Sequence, residues 1–108
     1  MTQLIQQGDV LIFSNVELPS DAVEVPAKHG RIVLAEGEVT GHAHAVGTME
    51  FPGTKLFTSN GNMFLVCESA VEVFHEEHKA VKVPPGTHKI CIVKEVDPFT
   101  EEIRSVQD

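Results

Sequence analysis

Lys55-Leu56-Phe57-Thr58-Ser59-Asn60-Gly61-Asn62-Met63-Phe64-Leu65-Val66-Cys67 is the stretch that decides the fold class. Asn-Gly is the strongest short hairpin signal, because both residues tolerate the positive φ of a type I′ turn. Apolar and β-favouring residues flank it on both sides, so the segment predicts two antiparallel strands, Lys55 to Thr58 and Met63 to Cys67. Working outward, short apolar runs recur between turn signals. Val10 to Phe13 follows Gly8-Asp9, and Arg31 to Glu36 follows the loop Pro26 to Gly30. A segment from His42 to Met49 lies between the Gly37–Gly41 bend and Pro52-Gly53. Ala70 to Phe74, Lys79 to Val83 and, after Pro84-Pro85-Gly86, His88 to Val96 complete about eight predicted strands.

The chain end differs in kind. Phe99, Ile103 and Val106 fall on one face of a short helix, and Asp97-Pro98 suits its N-cap and first turn. The expectation is therefore a single all-β domain, a small β-barrel or sandwich over residues 1–96, with a short amphipathic C-terminal helix over 97–108. A helix so short needs a surface to dock on. It would find one on its own domain or on a neighbouring copy, which would make the protein a homo-oligomer.

Composition narrows the function classes. The 108 residues are enough for one modest core. Eight basic against 16 acidic side chains give a net charge of −8, with no basic stripe, which argues against nucleic acid as a partner. No apolar run reaches the ~18 residues of a membrane span, and the first residues lack the pattern of a signal peptide, so no membrane partner and a cytoplasmic location are expected. Cys67 and Cys91 sit inside apolar runs without a CxxC spacing and read as buried reduced thiols.

The histidines are the informative residues. His42 and His44 are two apart in Gly41-His42-Ala43-His44-Ala45, so in a strand both imidazoles project to one face, between small neighbours. Neutral imidazole is the commonest protein metal ligand. His75 and His78 form a second pair around Glu76-Glu77. A two-residue turn there would oppose them across a hairpin at ~5 Å between Cβ atoms. Glu-Glu is poor chemistry for such a turn, so a longer loop is the alternative, with the pair as an exposed polar tip. His88 would be a further inward ligand, and His29, beside Gly30, is expected to face solvent. The helical zinc-protease pattern fails, because it needs histidines four apart.

The run Gly37-Glu38-Val39-Thr40-Gly41-His42-Ala43-His44 resembles the first motif of the cupin superfamily, and Pro85-Gly86-Thr87-His88 resembles the second. The resemblance implies a small cupin or jelly-roll-like barrel in which His42, His44 and His88 are metal ligands and Glu50 is the carboxylate. The chain is also similar to small bacterial and phage proteins carrying TGHxH and HEEH segments, a likeness that implies no activity.

The leading functional expectation is a protein that binds a divalent transition metal (zinc, iron, manganese or nickel) through His42, His44, His75, His78 and His88. Three histidines with an open position would suit a non-haem metalloenzyme acting on a small molecule, with Glu76 or Glu77 as base, whereas four would suit a structural site. A metal-free assembly module is the alternative, and a pH-responsive binder the third reading.

Overall fold

The computed structural model describes residues 4–36 and 42–93. They form ten strands: β1 (Leu4–Gln7), β2 (Val10–Ser14), β3 (Val23–Val25), β4 (Arg31–Glu36), β5 (Ala43–Gly47), β6 (Thr54–Ser59), β7 (Asn62–Cys67), β8 (Val71–Val73), β9 (Val81–Val83) and β10 (Gly86–Ile92). Six make one antiparallel sheet in the order β1-β2-β10-β7-β6-β3, and the others pair as the hairpins β4-β5 and β8-β9. The all-β expectation holds. The barrel does not: the six-stranded sheet ends at β1 and β3 and is not closed.

The decisive hairpin forms as its sequence requires. Ser59 pairs with Asn62 across Asn60 (φ 51°) and Gly61 (φ 80°), the two positive values of a type I′ turn. His29-Gly30 repeats the device between Lys28 and Arg31, whose backbone groups exchange hydrogen bonds of 2.9 and 3.0 Å, and His29 is exposed there. Two strands escape the sequence reading. β1 ends in Gln6-Gln7, which breaks the apolar pattern, and β3 has only three residues. Two others are shorter than expected: β8 stops at Val73 and β9 starts at Val81, so residues 74–80 form a loop.

A bridge joins the two small hairpins. Ala45 N–H donates to Phe74 O at 3.0 Å, and Phe74 N–H returns a bond of 2.8 Å. β4, β5, β8 and β9 together face the large sheet across one hydrophobic core. Val10 and Ile12 of β2, Leu65 and Cys67 of β7 and Ile90 of β10 meet Ile32 and Leu34 of β4, Val46 of β5, Val71 and Val73 of β8 and Val83 of β9. Strand alternation then assigns the remaining inward positions: Gln7 in β1, Ser14 in β2, His88 in β10 and His44 in β5. All four are buried polar residues and must find partners inside. Cys67 is buried and Cys91 half-buried, both as free thiols, and burial pushes the Cys67 thiol up to about 11. The Gly37–Gly41 bend and the expected C-terminal helix over 97–108 lie outside the described residues.

Candidate metal centre

Three pieces of chain meet at one end of the core: the start of β5, the β1-β2 turn at Gly8-Asp9, and the loop 74–80. β5 carries the HxH pair. His44, inside the strand, is 1% exposed, while His42 just before it keeps a quarter of its side chain in solvent. Both rings contact His75: the centroids lie 5.8 Å apart for His42 and 4.4 Å for His44. The shared face expected from the two-residue spacing is therefore present. His78 adds a fourth ring, 4.6 Å from His75 and 5.9 Å from His44, nearly parallel to the latter at 16°.

His75 and His78 do not oppose each other across a two-residue turn. Their loop is longer, and His75 itself shapes it. Its Nδ1 accepts the backbone N–H of Glu77 at 3.0 Å and of His78 at 3.3 Å. A neutral ring in that arrangement carries its proton on Nε2. The loop also supplies carboxylates. Glu76 accepts the Ala43 N–H at 2.9 Å, and that bond holds its carboxyl below the usual carboxylate range, so it is charged at neutral pH. Glu77 accepts from His42 Nδ1 at 3.2 Å, which leaves His42 Nε2 as the free nitrogen.

Gln7 does for His44 what Glu77 does for His42. Its amide nitrogen donates to Val73 O and to Lys79 O, each at 2.9 Å. With both N–H groups committed to carbonyls, Oε1 faces His44, and the ring's Nδ1–H donates to it at 2.8 Å. His44 Nε2 is then the nitrogen with the lone pair, 3.4 Å from Asp9 Oδ1. Burial pushes the His44 imidazole below its ordinary value, His75 and His78 push the same way, and the Asp9 carboxylate opposes them.

Among the described residues, His42, His75 and Glu76 each offer a ligand atom within 4.8 Å of the other two. This His/His/Glu set is the part of the cluster best placed to hold a cation. The other residues that the cupin resemblance implied lie elsewhere. His88 is 0% exposed on β10 and uses both nitrogens within the core: Nε2–H donates to Pro84 O at 2.7 Å, and Nδ1 accepts from Ser14 Oγ–H at 2.9 Å. Burial lowers its pKa and the Pro84 carbonyl opposes that. Its cross-strand partner Ser14 is at the far end of β2 from the Gln7-Val10 pair, ~13 Å along the strand. Glu50 is exposed beyond the end of β5, on a cleft shared with His29, Arg31, Met49 and Phe74.

Sequence reading missed Gln7 and Asp9 altogether. Gln7 shares the inward face of Ile5 by alternation in β1, a strand that the sequence pattern itself does not announce. Glu76 and Glu77, expected from the sequence as candidate bases, stand beside the histidines: Glu76 next to His42 and His75, and Glu77 against His42 Nδ1.

These residues make up an all-β domain with a histidine-carboxylate donor cluster at one end of its core. Residues 6–93 match the family described as a domain of unknown function, DUF8820, and the chain belongs to that family. No curated protein and no solved structure matches it.

Proposed function

We propose that this domain binds a divalent transition metal ion through His42, His75 and Glu76. The observation that carries the reading is the convergence of these three donors within 4.8 Å, with His42 oriented by Glu77 in the manner of carboxylate-histidine pairs at metal sites. Two imidazoles and one carboxylate suit zinc, iron, manganese or nickel better than calcium or magnesium, which prefer all-oxygen shells. Three protein ligands leave coordination open for water or a small molecule, the arrangement of catalytic rather than structural sites. A metal held there would act as a Lewis acid on a ligand oxygen. The partly exposed His42 and exposed Glu76 put the open side toward solvent.

Elemental analysis after incubation with zinc and exhaustive desalting tests this. Bound metal at or above one equivalent per chain is expected, and His42→Ala with His75→Ala should abolish this site's share. Wild-type protein that emerges without metal overturns the reading.

A further inference from the structure

We propose that the cluster holds a second divalent cation, on His44, Asp9 and His78, so that the four histidines form a two-metal centre with His75 in the middle. This rests on the reading of the first site but on different residues.

Three observations carry it. First, Gln7 commits His44 Nδ1 to donation, so Nε2 is the only nitrogen that can bind anything further, and it is aimed at a carboxylate. A lone pair and a carboxylate oxygen both accept, so a shared cation, a proton or a metal ion, would match both. The separation leaves room for a metal ion. A charge-assisted hydrogen bond between nitrogen and oxygen is ~2.7–2.9 Å long. Two ligands at ~2.0–2.1 Å from a tetrahedral zinc stand about 3.3 Å apart, and His44 Nε2 to Asp9 Oδ1 is 3.4 Å.

Second, a further histidine lies against the same turn. The His78 ring lies over the β1-β2 turn, so close that a Cβ on Gly8 would fall 2.6 Å from its Nε2. Gly8 therefore serves twice, supplying the positive φ of 59° for the turn and the space that seats the His78 ring against it. The His78 ring centroid is 5.9 Å from that of His44, and a rotation of this exposed side chain would bring a nitrogen toward an ion held by His44 and Asp9.

Third, the two donor sets meet. His75 touches His42 of the first set and both His44 and His78 of the second. Two-metal centres hold their ions ~3.5–4 Å apart and bind one oxygen ligand between them. The rings of His44 and His78 lie 4.4 and 4.6 Å from that of His75, so the two donor sets adjoin at His75.

The experiment is a cadmium and zinc titration of chelator-treated full chain, read by equilibrium dialysis and by the number of cadmium-113 resonances. Wild type should bind two equivalents and show two resonances. Asp9→Asn should fall to one, because the amide keeps the turn's shape and loses the anionic ligand, and Glu76→Gln should also fall to one while keeping the other resonance. One equivalent in wild type that Asp9→Asn leaves untouched and Glu76→Gln removes overturns the second site and leaves the first standing. One equivalent that only Asp9→Asn removes overturns the first reading and keeps this one. No binding overturns both. Asp9 is in a solvent-facing turn, and a cooperative thermal melt of each variant shows that the fold is retained.

Discussion

His44 and His88 are equally buried, 1% and 0% exposed, and both are clamped by a hydrogen bond to Nδ1, yet they are opposites in chemistry. His88 spends its second nitrogen on the Pro84 carbonyl and has nothing left. His44 receives a partner that accepts, so its second nitrogen stays available and points at Asp9. What separates a core histidine from a candidate ligand is therefore the fate of the remaining nitrogen. Burial alone does not distinguish them.

The sharpest way to break this contrast is to remove His88. His88→Ala leaves the Ser14 hydroxyl and the Pro84 carbonyl unmatched and opens a cavity, so chemical unfolding should show a loss of about 3 kcal/mol. Metal content of the folded protein should stay at the wild-type level. A fall in metal with little change in stability would reverse the roles assigned to the two residues.

Acid tests what the two rings share. For both, burial sets the folded pKa below the ordinary 6.5. Above 6.5 the folded and unfolded chains are alike neutral at these positions and stability is complete. As pH falls through 6.5, the unfolded chain takes up protons that the folded one refuses, and stability drops. Denaturant unfolding with chelator present, at pH 7.5 and 5.5, should record a decline of up to about 1.4 kcal/mol per pH unit for each histidine. A flat profile would mean that the rings charge freely in place.

The smallest expected effect concerns His75. Its Nδ1 lone pair is occupied by the amides of Glu77 and His78. If metal takes Nδ1, the amides are displaced. If metal takes Nε2, the ring proton moves to Nδ1 and repels them. Either route frees both amides, so hydrogen exchange at Glu77 and His78 should quicken on loading, while exchange in β7 and β10 stays as it was. Unchanged protection at those two amides would remove His75 from the ligand set.

How much of this was legible follows the range of each interaction. Asn60-Gly61 announces its hairpin because the turn is local, and the HxH pair announces a shared face because strand periodicity is local too. His75 and His78 could be singled out as a pair, but their loop could not be drawn, because β8 stops where the Ala45-Phe74 bridge takes over and β9 starts only at Val81. Pro85-Gly86-Thr87-His88 resembles a ligand motif, but register decides its meaning: cross-strand pairing places Ser14 directly opposite His88. Gln7 and Asp9 gave no usable signal. A glutamine beside a turn is ordinary, and its importance comes from carbonyls it meets 66 and 72 residues away.

That long reach of Gln7 bears on how the domain would acquire metal as it folds. One side chain near the beginning of the chain ties β1 to Val73, to Lys79 and, 37 residues off, to His44. Contacts so distant along the chain form late, after loop closure has brought the sheet ends together. A partly folded chain would offer only isolated imidazoles, and tight capture would mark the moment at which β1, β5 and the loop 74–80 have come together.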